Sequence, residues 1–209
     1  MTGLRVLHKR ALQVTVDIAN QVTPDRLGLP TPCIEWDLGQ LLAHMAGQNH
    51  GFAAAARGER NGVEAFAPQS VEEDPARLHA ASAAQVAEDF AAPGVLEREF
   101  WLPEIRSGTF PANTGIAFHL VDCVAHAWDV ARAIDVPVSF DDEVLDAALI
   151  VSLAIPDGPT REQPGASFRP GIAVGGEEGT LARILGLLGR SPDWKASGME
   201  GIERRGQRA

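Results

Sequence analysis

Apolar residues recur at helical spacing through most of this chain and predict four long helices. In the first segment, Leu4, Leu7, Ala11 and Val14 fall three or four positions apart, and the pattern runs to about Val22. That spacing places the apolar side chains on one face of a helix. Similar patterns predict three further long helices, from Asp37 to about Arg57, from Asp74 to about Ala91, and from about Asn113 to Ile134.

Start signals and a change of periodicity refine these predictions. Asp37 followed by Gln40 has the spacing of a capping box, and Pro75 suits the first turn of the third helix. Between the third and fourth helices, the alternating run Glu97-Arg-Glu-Phe-Trp-Leu predicts a short β-hairpin within Val95 to Pro111.

The last third of the chain predicts shorter elements. A fifth helix follows Asp141, a strand is expected at Gly171 to Val174 within a Gly/Pro-rich stretch, and a last helix covers Thr180 to Leu188. We expect one domain over residues 1–196 and a polar, disordered tail over residues 197–209. The predicted fold is mostly α: a four-helix bundle with a short β-hairpin and a small C-terminal α/β extension.

Composition narrows the class of partner. The net charge is −10, and the chain lacks the clustered Lys and Arg that bind phosphates, so nucleic acids and anionic membranes are disfavoured. No apolar run is long enough for a membrane span, and the N-terminus does not resemble a signal peptide. Two cysteines without CxxC spacing predict a cytoplasmic protein. A small-molecule substrate is the expected partner, and a homodimer is compatible with such a bundle.

The fourth predicted helix is apolar nearly all round but carries a stripe of polar side chains. Measured from His119 at about 100° per residue, His126 lies about 20° away, Asp122 about 60° and Asp129 about 80°. A helix that is otherwise apolar is usually buried. Its polar stripe must then be paired inside the protein or bound to a ligand.

A metal site is one interpretation of this stripe. Asp122 and His126 are one turn apart and could bind one ion, and His44, among apolar residues of the second helix, is the best candidate for a third ligand. Two histidines and a carboxylate leave an open coordination position, which is typical of catalytic zinc. Such an ion lowers the pKa of bound water or thiol.

The alternative is a core network without metal. His and Asp side chains on a buried helix can simply hydrogen-bond to one another. Asp129 and Arg132, three residues apart, are expected to form a salt bridge, and Cys33 and Cys123 are expected to be small buried hydrophobic residues rather than nucleophiles.

Three segments together resemble a known family. They are the segment from Thr31-Pro32-Cys33 through Trp36-Asp37 to His44, the segment His119-x-x-Asp122-x-x-x-His126-x-Trp128-Asp129, and the Leu185 to Trp194 ending. In this order they resemble actinobacterial DinB/YfiT-like metal-binding proteins, a group similar to the metal-binding domain of mycothiol-dependent maleylpyruvate isomerase. The resemblance spans about Leu4 to Trp194.

The resemblance implies a four-helix bundle that holds a divalent ion, usually zinc, with His44, Asp122 and His126 as ligands. This chain has Asp122 where the isomerase-like pattern has Glu, and Asp has a shorter reach. His119 could therefore join as a fourth ligand or act as a catalytic proton shuttle, and related proteins use three histidines.

The implied function is a zinc enzyme that uses a low-molecular-weight thiol such as mycothiol for isomerisation of, or thiol transfer to, a small electrophile. A zinc-hydroxide hydrolase would use water in place of the thiol. A non-catalytic metal-binding protein would have a closed site with His119 as the fourth ligand. A site that has lost its metal is the remaining alternative.

Overall fold

The computed structural model describes residues 3–163, 165–175 and 177–196, and within them it contains six α-helices and one two-stranded sheet. The predicted tail, residues 197–209, lies outside the described residues. The elements are α1 (Leu4–Ala19), α2 (Leu38–Arg57), α3 (Pro75–Ala91), β1 (Glu99–Trp101), β2 (Thr109–Pro111), α4 (Ala112–Ala133), α5 (Asp142–Ala154) and α6 (Thr180–Leu187).

The four long helices form the predicted bundle. Helix α1 packs mainly against α4 and α3, and α2 packs against α3 and α4. The principal contacts therefore form a ring in the order α1, α4, α2, α3, and the consecutive helices α1 and α2 lie at opposite corners. Helix α4 contacts both α1 and α2, so a polar stripe along it faces two different neighbours.

Local sequence signals set the helix boundaries as predicted. The side chain of Asp37 accepts a hydrogen bond from the Gln40 backbone at 2.8 Å, and the Asp37 backbone donates to the Gln40 side chain at 3.0 Å. This reciprocal capping box satisfies two donors that a helix end otherwise leaves unpaired. The same helix ends at Gly58, which adopts the left-handed conformation with φ of 86°. Helix α2, which carries His44, is thereby fixed at both ends.

The predicted hairpin is also confirmed. Strands β1 and β2 pair antiparallel, with Phe100 opposite Phe110, and both rings are buried in the hydrophobic core. The hairpin contacts α2 and α4. Its loop thus lies at the side of the bundle that α2 and α4 share.

The C-terminal extension differs from the prediction in one element. Helices α5 and α6 pack against each other, and α5 also contacts α1 and α4. The strand expected at Gly171 to Val174 is wrong, because this segment has no strand partner and is irregular. The Ile172 backbone instead donates to the carbonyl of Gly186 in α6, at 2.8 Å, and one such bond cannot form a ladder.

None of the described helices combines the length and apolar character that crossing a membrane requires.

Candidate metal centre

Three predicted ligands meet where α2 faces α4. Ligand atoms of His44, Asp122 and His126 all lie within 4.8 Å of one another. His126 is 5% exposed, whereas His44 and Asp122 are only partly buried. The group is therefore anchored in the interior by His126 and open toward solvent on the side of the other two.

Both ring nitrogens of His126 face a carboxylate oxygen. Its Nδ1 atom lies 2.9 Å from Oδ2 of Asp129, and its Nε2 atom lies 3.2 Å from Oδ1 of Asp122. If Nδ1 donates its proton to Asp129, the Nε2 lone pair faces a carboxylate oxygen, which is repulsive unless a proton or a metal ion lies between them. Two ligands of a tetrahedral zinc ion lie about 3.4 Å apart, close to the observed separation. The donor set therefore fits a metal ion.

Burial and neighbouring charges shift the pKa values of the three candidate ligands. Burial lowers the pKa of His44 to about 4, with the charge on His126 adding to this effect, so His44 is uncharged at pH 7. Burial opposes the charged forms of His126 and Asp122, but their mutual attraction dominates: it holds the pKa of His126 well above its usual value and that of Asp122 below its own. Because a metal ion must displace the His126 proton, its binding should weaken in acid.

A second layer of side chains holds His126 in place. The guanidinium of Arg190 donates to both carboxylate oxygens of Asp129, at 2.9–3.0 Å. The Cys33 thiol donates to the same carboxylate at 3.2 Å, and Arg190 reaches the Cys33 sulfur at 3.3 Å. Asp129 is 0% exposed. A buried carboxylate that orients a ligating imidazole is a recurrent feature of protein metal sites.

His119 lies in a different group. Its Nδ1 atom is 2.7 Å from Nε2 of His8 on α1 and 3.9 Å from the Cys123 sulfur. Burial lowers the pKa of His119 to about 4 and raises that of the Cys123 thiol. The hydrogen-bonded nitrogen of His119 thus points to α1 rather than to the ligands shared by α2 and α4.

Comparison with known proteins identifies the family. Residues 9–131 match the family model described as the mycothiol maleylpyruvate isomerase N-terminal domain. The chain belongs to this family. Two relatives in this comparison, each described as an uncharacterized protein of Mycobacterium tuberculosis, are 32% identical to it over 190 residues, which cover 88% of this chain and 96% of each relative.

A solved structure shares the fold of this chain. The crystal structure of the mycothiol-dependent maleylpyruvate isomerase matches it with a TM-score of 0.58 and 15% sequence identity, over 91% of this chain and 89% of the other. At that identity the match shows a shared fold. The helix bundle expected from the resemblance is therefore confirmed.

The candidate ligands lie inside the family-matched stretch, but one of their supports does not. His44, Asp122 and His126 fall within residues 9–131, whereas Arg190 follows it by about 60 residues. The expected salt bridge between Asp129 and Arg132 is wrong: Asp129 pairs with Arg190, and Arg132 donates to the Trp194 carbonyl at 2.8 Å. The sequence shows an Arg shortly after the apolar run Leu185 to Leu188, but no local pattern indicates which residue it pairs with.

The segment before α2 places two side chains beside the candidate metal centre. The Thr31 hydroxyl lies within hydrogen-bond distance of the carbonyl oxygens of Cys33 and Trp36, at 3.0 and 2.8 Å, and so closes a tight turn. The Trp36 ring packs against His44, with centroids 4.4 Å apart. Cys33, expected to be a buried hydrophobic residue, is instead partly exposed and hydrogen-bonded to Asp129.

A further carboxylate lies near the open side of the candidate centre. Gln48, one turn after His44, donates to Glu104 of the hairpin loop at 2.8 Å. Partial desolvation and the charge of Asp122 raise the pKa of Glu104, while the hydrogen bond from Gln48 opposes this shift. No local sequence pattern connects the hairpin to α2, so the position of Glu104 could not be predicted.

Proposed function

We propose that this protein is a zinc-dependent enzyme that uses a low-molecular-weight thiol, such as mycothiol, to isomerise a small electrophile or to transfer the thiol to it. His44, Asp122 and His126 would hold the ion. A zinc ion bound there would lower the pKa of a thiol and so supply a nucleophile at neutral pH. The thiol itself is suggested by the family to which the chain belongs.

One observation carries the proposal: the candidate centre has three ligand side chains and no fourth among the described residues. Three protein ligands leave a position for an exogenous group, which is typical of catalytic rather than structural zinc. The partial exposure of His44 and Asp122 supports access of that group from solvent.

Residues around the candidate centre would orient its ligands and exchange protons. Asp129 and Arg190 hold the His126 ring, so that its Nε2 atom faces Asp122. Glu104 lies at the open side and could exchange a proton with a bound molecule. Burial of His119 and its bond to His8 argue against direct contact with substrate, so the proposal gives it no catalytic step.

An assay with and without thiol tests this function. Zinc-loaded protein is mixed with maleylpyruvate, to detect isomerisation, or with 1-chloro-2,4-dinitrobenzene, to detect thiol transfer, with and without mycothiol. We expect turnover that requires the thiol, is lost in His126→Ala and Asp122→Asn, and persists in His50→Ala, since His50 is exposed on the same helix.

Two outcomes would overturn the proposal. Turnover of an ester or amide substrate without any thiol would indicate a hydrolase. Zinc binding without turnover of either probe, together with a lower melting temperature as the main effect of His126→Ala, would indicate a non-catalytic metal-binding bundle.

A further inference from the structure

The bundle interior holds a second group of metal-ligating side chains, here called the core cluster: His8 on α1 with His119 and Cys123 on α4. The Nε2 atom of His8 lies 2.7 Å from Nδ1 of His119, and the Cys123 sulfur lies 3.9 Å from that same nitrogen. All the ligand atoms lie within 4.8 Å of one another. The three residues are 1%, 1% and 3% exposed. The core cluster shares no residue with the candidate metal centre.

Two ligand atoms of this cluster converge on the same nitrogen of His119. Nδ1 of His119 has either one proton or one lone pair in the ring plane, so it makes one strong bond. His8 takes that bond at 2.7 Å and leaves Cys123 with a long contact of 3.9 Å to the same atom. A cation placed between the three atoms would serve all of them.

We propose that the core cluster binds a soft monovalent metal ion, Cu(I) being the physiological example. Thiolate sulfur selects soft metals, and two histidines with one cysteine are a known trigonal donor set for copper. The net charge of the occupied cluster also favours a monovalent ion. A thiolate and a monovalent ion sum to zero, whereas a divalent ion would leave a net positive charge beside the rings of Phe52 and Phe90, which is expensive in an apolar surrounding.

Binding is balanced without any change of oxidation state. The Cys123 thiol loses its proton to solvent as the sulfur–copper bond forms, because the thiolate is the ligand. The proton shared between His8 and His119 moves to a nitrogen that does not bind the ion. The two ligating nitrogens must separate from 2.7 Å to about 3.5 Å for metal–nitrogen bonds of about 2.0 Å.

The donor chemistry separates the two groups on α4. The candidate metal centre includes the carboxylate of Asp122, a hard ligand that suits zinc, whereas the core cluster contains only imidazole and thiol. Helix α4 would thus hold two ions of different type, one on the α2 side and one on the α1 side. This inference does not depend on the proposed function.

Copper titration tests the core cluster. Zinc-saturated protein is titrated with Cu(I) under anaerobic conditions against bicinchoninate as a competing chelator, and near-ultraviolet absorption from thiolate-to-copper charge transfer is recorded. We expect one equivalent of Cu(I) per chain with this absorption, and loss of both in Cys123→Ser and His8→Phe. His50→Phe, at an exposed position on α2, is the matched control and should bind copper as the wild type does.

The inference fails if the wild type does not compete with bicinchoninate, or if Cys123→Ser retains the copper. It also fails if Cys33→Ser loses the copper, since binding would then lie at the Cys33, His126 and Asp129 group. If Cys123→Ser does not fold, X-ray absorption of the copper-loaded wild type decides. A shell of two nitrogens and one sulfur supports the site, and a shell without sulfur overturns it.

Discussion

The Nδ1 atom of His126 lies 2.9 Å from Oδ2 of Asp129, one turn further along the same helix. Asp129 in turn accepts three hydrogen bonds from Arg190 and one from Cys33. This contact commits one ring nitrogen of His126 to a buried carboxylate and leaves the other facing Asp122. The candidate metal centre is therefore oriented by groups that do not themselves belong to it.

Replacing Asp129 with Asn tests this orienting role. The change keeps the size of the side chain but removes the charge that selects the Nδ1–H form of His126. We expect zinc affinity, measured by competition with a chromophoric chelator, to fall by about 10- to 100-fold. Asp146→Asn, an exposed position on α5, is the matched control and should leave the affinity unchanged. Equal affinity in both variants would show that Asp129 does not orient the ligand.

Arg190 should contribute mainly to stability. Replacing it with Met leaves the buried Asp129 carboxylate without its ion partner, which costs about 3–5 kcal/mol in comparable buried pairs. The double variant Asp129→Asn/Arg190→Met should lose less than the sum of the two single variants, because no unpaired charge remains. Urea unfolding of metal-free protein measures these values. Additive losses would mean that the two residues are not coupled.

Acid should destabilise the protein through its buried histidines. His79 donates from Nε2 to Thr15, since the Thr15 hydroxyl is used on the Leu12 carbonyl, and burial lowers the pKa of His79 to about 4. In the unfolded chain the same group titrates near 6.5. Its contribution is therefore constant above about pH 6.5 and is lost as the pH falls from there toward 4, by up to about 3 kcal/mol.

The variant His79→Leu isolates this effect. It should flatten the decline of the unfolding free energy between pH 6.5 and 4, while Thr15 keeps its bond to Leu12. His50→Leu, at an exposed position, should decline as the wild type does. A decline of equal steepness in His79→Leu and the wild type would show that His79 is not the group responsible.

Features set by neighbours in sequence were predictable. The Asp37–Gln40 capping box, the hairpin and the extents of α2, α3 and α4 follow from local patterns, and each is confirmed. The meeting of His44 with Asp122 and His126 was expected because α2 and α4 each bear polar side chains on otherwise apolar helices. When two such helices pack together, their buried polar side chains are expected to face one another.

Features that depend on contacts between residues far apart in sequence were not predictable. Asp129 pairs with Arg190, 61 residues away, although Arg132 has the helical spacing for a salt bridge. His119 lies on nearly the same side of α4 as His126, but seven residues correspond to about 10 Å along the axis. It therefore reaches His8 on α1 instead of the ligands shared with α2. A helical-wheel projection shows the direction of a side chain around the helix axis but not its position along that axis.

Zinc content is the most direct test of the central claim that His44, Asp122 and His126 form a metal centre. Protein purified without a histidine tag is loaded with zinc, passed over a desalting column and analysed by inductively coupled plasma mass spectrometry. We predict one tightly held equivalent in the wild type and in His50→Ala, and its loss in His44→Ala and His126→Ala. A wild type that retains no zinc, or a His44→Ala variant that retains as much as the wild type, would contradict the account.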